Sequence, residues 1–165
     1  MAIVGGGFTG LWTAYYLLRE DPSLQVDVLE AETAGFGASG RNGGWCSALF
    51  PSSLRKLASL SGSSQEAALA QHRAMRAAID EIAEVVRSEG IEAHFHKGGT
   101  ISLSRTKAQW RRAQADVSDA RTWGRGEDDL RLLQADEASH VLRATKVKGA
   151  TYTPDCAAVH PVLLC

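Results

Sequence analysis

The sequence predicts an α/β protein with α+β additions: a β-α-β unit, interrupted by part of a second domain that holds helices and a small antiparallel sheet. Three observations predict it. A glycine-rich turn stands between an apolar stub and a helical pattern near the start. A second glycine-rich stretch follows a short alternating segment. Beyond that stretch the chain leaves for one long amphipathic helix and several short β-rich segments, instead of continuing in steady strand-helix alternation.

The elements follow in order. Ala2 to Val4 reads as a buried strand, shorter than the roughly 5 residues common for strands. Gly7 to Glu20 reads as a helix, with Leu11, Ala14, Tyr15 and Leu18 on one apolar stripe, ended by Asp21-Pro22-Ser23. Gln25 to Glu30, "QVDVLE", alternates as a strand does, with Val26 and Val28 on one side. Ala34 to Gly44, "AGFGASGRNGG", carries five glycines in eleven positions and is read as irregular. After a loose Ser61 to Ser64, a long helix is expected from Gln65 to Glu89, its face marked by Ala68, His72, Met75, Ile79, Ile82 and Val86, with Gly90 ending it. Ala93 to Lys97 and Thr100 to Leu103 read as two strands of a hairpin turning at Gly98-Gly99. Thr106 is placed to cap a helix running to Trp123. A short helix is expected at Asp136-Glu137, a strand over Val147 to Thr153, and a helix start at His160-Pro161.

Gly5, Gly7 and Gly10 satisfy G-x-G-x-x-G between a strand and a helix, the Rossmann-like setting in which that spacing binds a dinucleotide. The first glycine permits the tight turn, the second leaves room for a pyrophosphate, and the third lets helix and strand pack closely. The first helical turn, at Phe8 and Thr9, would offer its N–H groups and partial positive charge to the phosphates. Glu30 follows Gly10 by twenty residues, at the end of the second strand. A carboxylate there can accept from the adenosine ribose hydroxyls and would repel a 2′-phosphate. Leaving the alternating pattern so early favours a bound flavin over a diffusible nicotinamide.

Four segments, "AIVGGGFTGLWTAYYL", "VDVLEAETAGFGASGRNGGW", "KGGTISLSRT" and "YTPDCAAVHPVLL", together resemble the FAD-dependent amine and amino-acid oxidase family. D-amino-acid oxidase, glycine oxidase and sarcosine oxidase typify that family, and the "GASGRNGG" form is most similar to its gamma-glutamylputrescine oxidase branch. The resemblance covers nearly the whole chain and implies a cofactor, FAD, cradled by Gly5, Gly7 and Gly10 and held at its ribose by Glu30. It also implies that Ala38, Ser39, Gly40, Arg41, Asn42, Gly43 and Gly44 line the path toward the flavin ring. On this reading residues 1–50 are the first part of the FAD-binding domain, 51–90 a long connecting helix region, 91–154 part of a substrate domain, and 155–165 the return to the FAD-binding domain. The expected reaction is oxidation of a CH–NH bond of a small amine or amino acid to an imine. The family's closing segments lie outside these residues, so the chain is expected to be a piece of a longer oxidoreductase, and its catalytic residues stay unassigned.

Composition bounds the partners. A formal net charge of -1 over 165 residues gives no electrostatic reason to expect nucleic acid or an anionic membrane as partner. Cys46, Cys156 and Cys165 form no C-x-x-C pair, and a reducing cytoplasm is the expected location. A flavin thioether at Cys46 is the less favoured reading of a small buried thiol. His94 and His96 would share one face of a strand, but no third ligand stands nearby, so no metal is expected. Two alternatives stay open at this point: an NAD-dependent dehydrogenase, and a non-catalytic nucleotide-binding remnant.

Overall fold

The computed structural model describes all 165 residues, which form two compact units. The first comprises residues 1–45, 82–96 and 158–165, and the second residues 46–81 and 97–157. No helix is long and apolar enough to cross a membrane.

The first unit opens with β1 (Ala2–Val4), α1 (Phe8–Glu20) and β2 (Asp27–Leu29). β1 and β2 pair in parallel with Ala2 opposite Asp27, Ile3 opposite Val28 and Val4 opposite Leu29. This is the expected β-α-β unit, but β1 is not the buried strand expected: Val4 is 86% exposed and Ala2 is exposed as well, with only Ile3 partly covered. The stripe on α1 differs from the reading, because Gly10 and Ala14 are its buried residues and Leu18 is 39% exposed. Two small residues bring α1 onto the strands at close range, and the larger side chains fan out around that contact. Asp21 ends the helix by taking the Ser23 N–H and hydroxyl on one carboxylate oxygen, an Asx-type turn. Residues 31–44 form no regular element.

β3 (Trp45–Ser47) starts at the last residue of this stretch of the first unit, and the second unit continues to α2 (Leu54–Ala58), capped where Ser53 Oγ accepts from the Lys56 N–H at 3.2 Å. α3 (Gln65–Ser88) begins in this unit and ends in the first. Its predicted face is the one the structure uses: Ala68 and Ile79 are buried, with Val85 added. Gly90, at φ +64°, closes it by letting the Ile91 N–H reach the Val86 carbonyl at 2.9 Å, the six-to-one bond of a left-handed helix end.

β4 (Thr100–Ser104), α4 (Lys107–Thr122), β5 (Arg131–Gln134), α5 (Ala135–Val141) and β6 (Gly149–Thr153) build an antiparallel sheet in the order β4-β6-β5. Its core is Leu133, Ala138 and Ala150, with Ile101, Leu103, Val147 and Tyr152 packed against them. Thr106 caps α4 as expected, in a reciprocal box with Gln109. β7 (Cys156–Ala158) and α6 (Pro161–Leu164) complete the chain, and all three cysteines are free.

The hairpin at Gly98-Gly99 does not form. β4 pairs with β6, about fifty residues later in sequence (Thr100 opposite Thr153, Ser104 opposite Gly149), and residues 93–97 hold no strand beyond a single bridge from His96 to Ala158. Gly99 is a glycine for another reason: at φ +75° a Cβ would lie 2.5 Å from both the Thr153 carbonyl and the Tyr152 hydroxyl. His94 sits at φ +52°, so it and His96 do not alternate along a strand. β5 is not expected from the sequence; "RLLQ" lacks β-branched residues and acquires its strand by pairing with β6, Leu133 opposite Ala150.

Candidate functional site

The first glycine loop joins β1 to α1. Gly5 stands at φ +103°, a conformation side chains rarely adopt, with its N–H donated to the Leu29 carbonyl at 2.8 Å. A Cβ on Gly10 would collide with the Gly5 carbonyl, so the third glycine is the one that lets α1 start against the turn. A Cβ on Gly7 would stand 2.8 Å from Ser39 Oγ. Gly7 is also the N-cap of α1, without a capping side chain, and no acidic residue occupies the first turn. Such a helix start leaves an anion favoured at its N–H groups.

The second glycine-rich stretch folds back onto this loop. Ser39 Oγ accepts the Phe8 N–H at 3.0 Å, and the Gly35 N–H donates to the Gly6 carbonyl at 2.8 Å. Two motifs about thirty residues apart in sequence therefore meet at one helix end. Thr9, next in the turn, is exposed, and its carbonyl accepts from the Thr13 hydroxyl.

Glu30 reaches the same loop from the end of β2. Its Oε2 accepts the Gly6 N–H at 2.7 Å and its Oε1 the Glu32 N–H at 3.2 Å. Those bonds, the Gly6 one foremost, hold its carboxyl below the ordinary carboxylate range, against a small opposing effect of desolvation. The group is an ionised, acceptor-only carboxylate at neutral pH. Each oxygen keeps acceptor capacity for sugar hydroxyls.

Beyond Ser39 the predicted residues serve the turn itself. Asn42 Nδ2 donates to the Ala38 and Ser39 carbonyls at 3.1 and 2.6 Å, and its Oδ1 accepts the Gly44 N–H at 2.8 Å. Gly44, at φ +66°, is buried, and a Cβ there would collide with the Val159 carbonyl. Its N–H is thus committed to Asn42, whereas Gly43 is exposed with open space around it. The Arg41 guanidinium lies over the Phe36 ring, 4.1 Å from its centroid, a cation–π contact on an exposed loop. Gly40, expected on that path, is a glycine because a Cβ there would collide with the Gly35 carbonyl. Gly35 itself, at φ +72°, is not singled out by the motifs, and its only sequence signal is the density of glycines.

The donor set suits a dinucleotide diphosphate: backbone N–H groups at a helix start, space that a Cβ would fill, one hydroxyl, and a carboxylate one loop away. The Cys46 thiol is half-buried, its pKa raised by desolvation first and by Cys156 second. It is a poor nucleophile for attachment to a ring.

Comparison with known proteins places the chain in a family. The profile of the DAO family, FAD dependent oxidoreductase, matches residues 1–165. Gamma-glutamylputrescine oxidoreductase of Escherichia coli (strain K12) is 54% identical over 44 residues, which are 27% of this chain and 10% of that protein. Glycine oxidase from Bacillus cereus ATCC 14579 superposes with a TM-score of 0.72 at 21% identity, over 99% of this chain and 40% of that one. Glycine oxidase from Geobacillus kaustophilus does so with a TM-score of 0.66 at 28% identity, over 99% of this chain and 41% of that one. The chain spans about two fifths of the length of those solved oxidases. Matched by the family's profile from end to end, this chain belongs to the DAO family of FAD-dependent oxidoreductases.

Proposed function

We propose that the protein carrying this chain oxidises the CH–NH bond of a small amine or amino acid to an imine. The observation that carries the cofactor half is the closure of Ser39 and Glu30 onto the Gly5–Gly10 loop. In this reading Gly5, Gly7, Phe8, Thr9 and Gly10 form the turn that holds the FAD diphosphate, the Gly5 and Phe8 N–H groups shaping it through Leu29 and Ser39 and the rest of the turn facing the phosphates, and Glu30 holds the ribose. Ala38, Ser39, Arg41, Asn42, Gly43 and Gly44 form the wall toward the ring, with Asn42 keeping that turn rigid. The amine half is supported by the likeness to gamma-glutamylputrescine oxidoreductase and to two glycine oxidases.

FAD held by these residues would supply hydride-accepting chemistry toward the carbon bearing the amine, with an external acceptor such as dioxygen as the final oxidant. This chain's residues contribute binding and orientation. Glu30, acceptor-only and fixed by Gly6, discriminates against a 2′-phosphate by charge. The Ser39 hydroxyl, having accepted from Phe8, keeps its own hydrogen free to donate to a phosphate oxygen. On the same reading residues 1–50 and 155–165 belong to the FAD-binding domain and 91–154 to the substrate domain, with 51–90 connecting them.

Two measurements test the proposal on the complete protein. Gly7→Val puts a side chain where Ser39 Oγ and the phosphate must stand, and the purified variant should carry no flavin; normal FAD content would remove the cradle assignment. Anaerobic addition of amines and amino acids should bleach the flavin absorption. Bleaching by an alcohol phosphate and by no amine would overturn the substrate class while leaving the cradle intact.

A further inference from the structure

The second unit holds an open cleft of about 500 Å3 whose lining includes none of the residues assigned to FAD. Leu57 of α2, Met75 of α3, Trp123 at the end of α4 and Leu130 supply apolar walls, and Arg125 and His72 lie at its polar side. The loop bearing Arg125 is held by Arg121, whose guanidinium donates to the carbonyls of Arg125, Gly126 and Leu130 and to Glu127.

Arg125 itself is poorly served. Its side chain is only 20% exposed, its Nε is buried without a hydrogen bond, and its nearest carboxylate oxygen, Asp129 Oδ1, is 3.9 Å away. That oxygen is already engaged by His72 Nε2 at 3.0 Å and Arg76 Nη1 at 2.9 Å. Asp155, the other buried carboxylate, lies 2.5 Å from Arg76 Nε and 3.7 Å from Lys97 Nζ. Of the two acidic residues on the cleft's rim, Asp119 is paired with Arg55 at 3.0 Å and Asp116 is exposed to water. Burial draws the Arg125 pKa down, with Arg76 and Arg121 adding to the lowering and Asp129 and, to a lesser extent, Asp155 opposing it. A guanidinium carries five donors in a fork shaped for a carboxylate, and Arg125 holds that fork at the cleft wall with its Nε buried and without a hydrogen bond, a costly arrangement.

We propose that this cleft is a binding site for a small organic carboxylate with an apolar body, its carboxylate on Arg125 and its body between Leu57, Met75, Trp123 and Leu130. The charge selects the head group and the walls select the tail. Binding there is independent of FAD.

The test is calorimetric titration of the complete, FAD-loaded protein with octanoate, and with octanamide as the uncharged counterpart of the same shape. Octanoate should bind saturably with one site, at least about tenfold tighter than octanamide, and Arg125→Gln should remove that advantage. Leu57→Trp, which fills the cleft and leaves Arg125 in place, should abolish binding of both, and the flavin absorption should not change on titration. Absence of saturable binding to millimolar octanoate, equal affinity for the amide, or unchanged binding in Leu57→Trp would each overturn the site. Should Arg125→Gln not fold, the amide and Leu57→Trp decide the question.

Discussion

The glycine cradle of the first unit and the ion cluster of the second solve opposite problems. Around Gly5–Gly10 the chain makes room: side chains are absent, backbone N–H groups are presented at a helix start, and one exposed carboxylate is anchored beside them. Around Asp129 and Asp155 the chain fills room with charge, placing Arg76, Arg125, His72 and Lys97 about two carboxylates that are themselves largely buried. The first arrangement is built from neighbours in sequence plus one returning loop. The second gathers side chains from α3, from the turns after α4 and from the end of β6. A cradle fails when something is added, and an ion cluster fails when something is taken away.

Substitutions should separate the two. The largest effect is expected from Asp129→Asn, which removes the carboxylate shared by His72, Arg76 and Arg125 and leaves Arg76 with Asp155 alone. Removing one partner of a buried charge pair costs about 3–5 kcal/mol, read as a lowered denaturant midpoint with flavin content per folded molecule unchanged. Next comes Gly10→Ala. Its Cβ meets the Gly5 carbonyl, and overpacking of that kind costs about 1–3 kcal/mol; Gly37→Ala, where the added carbon meets open space, is the control. Here flavin content should fall along with stability. If Gly10→Ala keeps its FAD, the close approach of α1 is not what shapes the cradle.

Thr106→Ala should cost about 1 kcal/mol by removing one half of the α4 capping box. It should show in thermal unfolding and leave both the cradle and the cleft unaffected. The smallest effect is an acid one. Because the Glu30 carboxyl titrates below its ordinary value of 4.5, its contribution is present above that value and is lost as pH falls through the lower, folded one. Wild type and Glu30→Gln should therefore converge in stability only in acid. Parallel curves from neutral pH down to pH of about 3 would remove Glu30 as a charged anchor.

What could be read in advance follows the same division. The β-α-β unit, the long α3, the capped α4 and the two glycine stretches were legible because each rests on contacts a few residues apart. Glycine where only glycine fits, Thr106 with Gln109, and apolar residues at steps of three and four are local statements. The hairpin at Gly98-Gly99 misled because the turn signal was local and the winning partner was not: β6 offered β4 a full ladder of five residue pairs. β5 was invisible for the complementary reason, since nothing in "RLLQ" favours a strand until β6 lies beside it.

The site divides likewise. Sequence alone determined the helix start, the acidic residue at the end of β2 and the density of glycines that no regular element could hold, since backbone geometry restricts those positions whatever surrounds them. Tertiary structure alone decided that Ser39 closes on Phe8, that Asn42 consumes the Gly44 N–H, and that Arg125 is left without a carboxylate of its own. Those outcomes depend on which distant groups reach a given donor first, and in a folded chain that is settled by packing and by the number of acceptors within reach.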